Sequence, residues 1–231
     1  MPNKPEPKRQ PKRLSSPKRI FQRIGLWGLP LALFALCCWG NPFSQPVAQQ
    51  SLSLQTLSPA QRNNVRVALR HLNGVIIPAG QRFSFNRIVG PRTLARGYKA
   101  APSYLGGDSP STVGGGICLL SSALYQLALK ANLPIEQRVP HLRTIHSVPP
   151  GLDATVWYGG ADLKFKNNQP QALRIAVSDN GSTLTVAFQG KEAILSGRIH
   201  RTIRQPNRQG IMVSVFRNDR MVSRDWYRLT P

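Results

Sequence analysis

The run from Ile24 to Trp39 contains no charged side chain, and it decides how the rest of the chain must be read. Such a stretch is a membrane segment or the core of a signal peptide. Ahead of it, residues 1–23 carry Lys4, Lys8, Arg9, Lys12, Arg13, Lys18, Arg19 and Arg23 against Glu6 alone. Pro2, Pro5, Pro7, Pro11 and Pro17 break any helix there. This basic tail is expected to stay cytoplasmic and to send everything after residue 40 outward. Pro46, Val47 and Ala48 make a poor small-x-small cleavage site, which favours an uncleaved anchor over residues 24–40. Residues 41–57, rich in Gln and Ser, read as a linker. Residues 58–231 read as one extracytoplasmic domain, on the periplasmic or cell-wall side of the membrane.

The net charge of +22 divides unevenly. The tail holds eight Lys and Arg against one Glu, and the remaining 23 basic and 8 acidic residues leave about +15 beyond it. An extracytoplasmic domain that basic suits anionic surroundings such as wall polymers or lipid headgroups. Nucleic acid, the usual partner at such a charge, is excluded by the expected topology. The scattered C-terminal arginines read as solvated charge.

Beyond the linker, Ser58 caps a helix with Pro59 at its first position. Val65, Ala68, Leu69 and Leu72 recur at helical intervals, with His71 on the surface. Val75–Ile77 and Arg82–Phe85 read as short strands, and residues 90–116 as a long irregular segment. A second helix is predicted from Cys118 to about Ala131, with Leu120, Leu124, Leu127 and Ala128 as its buried stripe. Extended chain follows over Val139–Val148, Ala154–Trp157 and Leu163–Lys166. A hairpin turns at Asp179, Asn180 and Gly181 between Leu173–Val177 and Thr183–Phe188. Ala193–Arg201, Ile211–Arg217 and Met221–Arg228 complete the strands. The pattern predicts an α+β domain with two main helices and a largely antiparallel sheet.

Cys37 and Cys38 lie inside the apolar run, so Cys118 is the one thiol of the outer domain and has no disulfide partner there. It stands at the start of the second helix, directly after Gly114, Gly115, Gly116 and Ile117. Glycines let a backbone approach a ligand closely, and the free N–H groups of a first helical turn favour negative charge. Two readings follow: a reactive thiol, or a small buried hydrophobe. A cysteine nucleophile needs a base, and His141 and His146 both lie downstream; Asp153 has the chemistry to orient a histidine. The N–H groups of Gly114, Gly115 and Gly116 would then face an acyl oxyanion. The separation of His141 from His146 also falls within zinc-ligand spacing, but no C-x-x-C pair accompanies it. No Gly-Lys-Ser or Gly-Lys-Thr follows the glycines, so they form no phosphate loop. No metal and no cofactor are expected.

Several ordered motifs resemble those of the VanW family: Phe83-Ser84-Phe85-Asn86, Val89-Gly90-Pro91-Arg92-Thr93, Gly97-Tyr98 with Ala101-Pro102, and Gly114-Gly115-Gly116-Ile117-Cys118. Ser121-Ser122 with Leu124-Tyr125, Pro149-Pro150-Gly151 with Asp153-Ala154-Thr155-Val156, and Asp162-Leu163-Lys164-Phe165-Lys166-Asn167 extend the likeness from about Val75 to Phe188. The resemblance implies an envelope protein and, from some members, a cysteine L,D-transpeptidase joining peptidoglycan stems through a thioester. It makes Cys118 the nucleophile and His141 its partner, while His146 falls where the pattern has no histidine. Arg92, Arg96, Lys99 and Tyr98 in the long loop become candidates for binding stem carboxylates. The family usually has Gln after the cysteine and Ser after the histidine; here Leu119 and Leu142 stand there, leaving oxyanion stabilisation to backbone N–H groups. Two other functions share this pattern: a non-catalytic wall-binding module and a cysteine peptidase acting on wall peptides.

Overall fold

A computed structural model describes residues 41–103, 111–145 and 147–229, so the basic tail, the apolar run with Cys37 and Cys38, and His146 lie outside the described residues. Among the described residues no helix is long and apolar enough to cross a membrane.

The residues expected to be a linker are part of the domain. Gln45–Ser53 is a strand, β1, paired antiparallel along its length with a later strand. Its Gln- and Ser-rich composition reflects a solvated face, while Val47 and Leu52 point into the core. A half-exposed strand needs only one apolar face, and its backbone groups are satisfied by its neighbour whatever the side chains.

Helix α1, Pro59–Leu72, follows. Ser58 Oγ accepts from the Gln61 N–H at 3.2 Å and Gln61 Oε1 accepts from the Ser58 N–H at 2.9 Å, a reciprocal capping box. Its predicted stripe of Val65, Ala68, Leu69 and Leu72 is buried and His71 is exposed. Short strands β2 (Ile76–Ile77) and β3 (Arg82–Ser84) come next, and Phe85 begins a short helix, α2 (Phe85–Val89), rather than ending a strand. Buried Asp162 explains the change: its carboxylate accepts from Ser84 Oγ at 2.6 Å and from the Asn86 N–H at 2.9 Å, holding the start of that turn.

The segment read as irregular contains a 3₁₀ turn, Leu94–Arg96, and a hairpin of β4 (Ala100–Pro102) with β5 (Ser111–Val113). It delivers the chain into helix α3, Cys118–Lys130. No charged residue stands between Cys118 and Leu129, and the helix is accordingly buried nearly all round, not only on its predicted stripe. Strands β6 (Ile135–Gln137), β7 (Lys164–Lys166), β8 (Leu173–Asp179), β9 (Thr183–Gly190), β10 (Ile199–Asn207), β11 (Gly210–Arg217) and β12 (Arg220–Arg228) complete the chain. The strand expected from Ala193 begins only at Ile199.

All named strand pairs are antiparallel, and the fold is α+β. The main sheet has the order β1-β9-β8-β2, with α3 packed on β1 and β9. A second sheet runs β3-β7-β6; Phe83 and Phe165 stack across it with ring centroids 4.6 Å apart. The C-terminal strands form a separate meander, β10-β11-β12.

Candidate active site

The glycine turn is built by its neighbours. Gly114 and Gly116 have φ of +93° and +94°, and Gly115 lies so close to the β4 backbone that a Cβ would sit 2.1 Å from the Ala101 carbonyl oxygen. Asn64, fully buried on the apolar face of α1, ties this loop down. Its amide donates to the Lys99 carbonyl at 2.8 Å and the Gly115 carbonyl at 3.0 Å, and its oxygen accepts from the Lys99 N–H at 2.7 Å. Gln61 donates to the Pro102 carbonyl at 3.0 Å. Together these bonds fix where α3 begins and where Cys118 is presented.

Cys118 is partly exposed and donates to the Val156 carbonyl across 3.7 Å. With His141, Gly114, Gly115, Gly116, Arg92, Val156, Trp157 and Tyr158, it lines one cleft of about 250 Å³. Ser121 and Ser122, one turn along α3, hold the chain opposite. Ser121 Oγ donates to the Ala154 carbonyl at 2.6 Å, and Ser122 Oγ accepts from the Ala154 N–H at 2.9 Å. The motif serines thus set the register between Cys118 and the segment Asp153–Val156.

His141, 4 % exposed, joins the two. Its Nδ1 lies 2.6 Å from Asp153 Oδ2, which also accepts the His141 backbone N–H at 2.7 Å. With Nδ1 committed to the carboxylate, any bond from the ring to the thiol has to use Nε2. Burial works against a charged imidazole here, but hydrogen bonds with Asp153 and Cys118 and their charges outweigh it and hold the His141 pKa up at about 9. Asp153 is driven the other way: burial favours its neutral form, yet the His141 bond, the Arg138 charge and the Tyr227 bond bring its carboxyl down to about 2. Cys118 and His141 thus share one cleft, with the imidazole bonded to the Asp153 carboxylate behind it.

Sequence reasoning missed the support behind Asp153. Its Oδ1 accepts from Arg138 Nη2 at 2.8 Å and from the Tyr227 hydroxyl at 2.6 Å. Arg138 also donates through Nη1 to Asp225. No local signal marks these partners, which lie on β12 and between β6 and the His141 segment. Asn64 did leave a signal: an amide placed one residue before Val65 on the apolar face of a helix.

The oxyanion expectation is corrected in part. The Gly114 N–H donates to the Lys99 carbonyl at 3.1 Å and the Gly115 N–H to the Thr112 carbonyl at 3.0 Å, so both are occupied. The N–H groups of Gly116 and Cys118 donate to no other group among the described residues, and they are the backbone donors beside the thiol. The Leu119 side chain is buried in the core and does not line the cleft, while Leu142 is 74 % exposed and also lies outside it.

Of the four candidate carboxylate binders, only Arg92 lines the cleft. Its Nη1 donates to the Gly90 carbonyl at 3.0 Å and its guanidinium lies over the Phe85 ring, but buried Nη2 has no partner among the described residues. Burial lowers its pKa, against the pull of Tyr98, Cys118 and Asp162. Arg96 is turned to the Pro91 carbonyl and to His71, Lys99 is exposed, and Tyr98 is buried in the core. Among the described residues, no group of three or more His, Cys, Asp and Glu side chains is disposed to hold a metal ion.

The family described as "VanW like protein" matches residues 60–189, more than half of the chain. The chain belongs to the VanW family. It is 32% identical over 165 residues to the uncharacterized protein YoaR of Bacillus subtilis (strain 168), a match covering 71% of this chain and 54% of that protein. It is 31% identical over 135 residues to the vancomycin B-type resistance protein VanW of Enterococcus faecalis (strain ATCC 700802 / V583), covering 56% of this chain and 49% of that one. The chain spans about half the length of the curated relatives it matches. No solved structure matches at a significant level. The VanW match takes in Cys118, His141 and Asp153 and ends before the C-terminal meander that carries Tyr227 and Asp225.

Proposed function

We propose that this VanW-family chain is a cysteine acyltransferase of the cell envelope, an L,D-transpeptidase acting on peptidoglycan stem peptides. The observation that carries the reading is the cleft that Cys118 and His141 share, with His141 bonded to Asp153 and with the N–H groups of Gly116 and Cys118 unengaged among the described residues. The Cys118 thiolate attacks a stem carbonyl, and the developing oxyanion is received by the N–H groups of Gly116 and Cys118. The C–N bond breaks and the His141 imidazolium protonates the departing amine, leaving a thioester. The amine of a second stem then attacks this thioester and gives its proton back to His141; the C–S bond breaks and the thiolate returns. Arg92, the one candidate cation that lines the cleft, pairs with a carboxylate of the donor stem.

In this reading residues 24–40 anchor the protein, residues 1–23 remain cytoplasmic, and the domain faces the anionic envelope polymers that its charge suits. The test is incubation of the full-length chain with muropeptides bearing tetrapeptide stems, followed by chromatography and mass spectrometry. Cross-linked dimers that disappear with Cys118→Ala are the expected result. Shortened, uncross-linked stems would identify a peptidase using the same site. No product at all, with wall binding retained in Cys118→Ala, would overturn catalysis in favour of a binding module.

A further inference from the structure

The imidazole–carboxylate half of the site rests on a part of the chain outside the family match. Tyr227 is 1 % exposed on the inner face of β12. Its hydroxyl gives its proton to Asp153 Oδ1 at 2.6 Å and accepts from the Gly151 N–H at 2.8 Å and from Arg138 Nη2 at 2.9 Å. That exhausts the donor and both lone pairs of a phenol. Arg138 is fixed in turn from two sides, by the Asp153 carboxylate and main-chain carbonyl and by Asp225, also of β12. Asp225 Oδ2 is itself held by Ser223 Oγ at 3.0 Å.

The backbone repeats the pattern. The Arg228 N–H donates to the Leu142 carbonyl at 2.9 Å and the Thr144 N–H to the Arg228 carbonyl at 3.1 Å, so Arg143, two residues after His141, forms a parallel bridge with Arg228 of β12. On the other side, Gly151 packs against β11 so tightly that a Cβ would meet Val213 and Val215 at 2.8 and 2.7 Å. Arg201 of β10 donates to the Pro150 carbonyl at 2.7 Å. Every strand of the meander therefore touches the chain between His141 and Asp153.

We propose that the C-terminal meander is a positioning device for the His141–Asp153 pair, with Tyr227 as its principal positioning residue and Arg138 and Asp225 as the charge balance around Asp153. The inference rests on the acyltransferase reading of the cleft. The Tyr227 hydroxyl and Arg138 occupy Oδ1 of Asp153, which leaves Oδ2 aimed at the His141 ring. Without the phenol the carboxylate can rotate and the imidazole loses its fixed aim at the thiol.

The test is the pH–rate profile of Cys118 alkylation by iodoacetamide in the full-length chain, read by mass spectrometry, alongside cross-link formation from tetrapeptide muropeptides. Tyr227→Phe removes one oxygen and is expected to slow both reactions about tenfold, the order expected for one charge-assisted hydrogen bond. Asp225→Asn removes one of the two carboxylates that face Arg138 and leaves it Asp153 alone. It is expected to move the His141 limb of the profile to lower pH, since added positive charge disfavours an imidazolium. Trp226→Phe, on the opposite face of the same strand, is expected to match the wild type. If Tyr227→Phe does not fold, the Asp225→Asn displacement carries the test alone. Profiles of Tyr227→Phe and Asp225→Asn that superimpose on the wild type would overturn the positioning role and leave the acyltransferase reading intact. A wild-type chain with neither cross-linking nor faster alkylation than its own unfolded state would overturn both.

Discussion

Replacing Asp153 by asparagine removes one charge and almost no volume, and the structure sets what that must cost. Four donors converge on its carboxylate: the His141 N–H and Nδ1 on one oxygen, Arg138 Nη2 and the Tyr227 hydroxyl on the other. An amide offers one accepting atom and one NH₂ group, so in either orientation two of the four donors face a donor. Arg138, 5 % exposed in its side chain, is left with Asp225 as its remaining carboxylate. Breaking a buried ion pair from one side costs about 3–5 kcal/mol, and the surviving Asp225 contact argues for about 3 kcal/mol. In a domain of this size that corresponds to a fall of roughly 6–12 °C in Tm. Urea and thermal unfolding of the full-length chain at pH 7, with an unchanged m-value, measure it. A loss under about 1 kcal/mol, within the range of an ordinary surface substitution, would refute the buried network as drawn.

Three further outcomes follow from the same geometry. The His141 pKa is raised from 6.5 to about 9, so its contribution to stability is complete below pH 6.5 and is lost as pH rises through 9; that of Asp153, lowered from 3.8 to about 2, is present above 3.8 and lost as pH falls through 2. Unfolding curves of wild type and His141→Gln are therefore expected to differ most between about pH 4 and 6.5 and to converge above pH 9, and a constant difference would contradict the pairing. Gly115→Ala forces a Cβ against the carbonyl oxygens of Ala101 and Pro102, which are backbone and cannot swing aside; expected are a loss of about 1–3 kcal/mol by urea unfolding and the disappearance of cross-linking. Arg92→Met removes a partly buried cation whose Nη2 has no partner among the described residues; stability is expected to hold or rise while KM for stems with a free carboxylate increases at least about tenfold, and an unchanged KM would remove Arg92 from substrate binding.

What could be read from the sequence was what local chemistry controls. Ser58 and Pro59 start α1, Asp179–Gly181 turn a hairpin, and the glycines before Cys118 open α3, because caps, turns and helix starts are decided within a few residues. Strand β1 was not legible: Gln45–Ser53 carries few hydrophobes, and it is ordered by pairing with β9 far along the chain. The site divides in the same way. Cys118, His141 and Asp153 could be proposed from residue type and resemblance, and Arg92 was one cation among several until the fold turned Arg96 and Lys99 elsewhere. The partners that govern Asp153 could not be proposed. Tyr227 and Asp225 are ordinary strand residues until the chain brings them back 74 residues from Asp153 and 87 from Arg138, respectively.

The central claim is that Cys118 is acylated by a stem peptide with His141 and Asp153 in support. Rapid quenching of the full-length chain in acid after mixing with a tetrapeptide-stem muropeptide, followed by peptide mass spectrometry, tests it most directly. An acyl adduct is expected on the peptide containing Cys118, absent in Cys118→Ala and strongly reduced in His141→Gln. Cross-links formed without any adduct on Cys118, or at the same rate in Cys118→Ala, would contradict it.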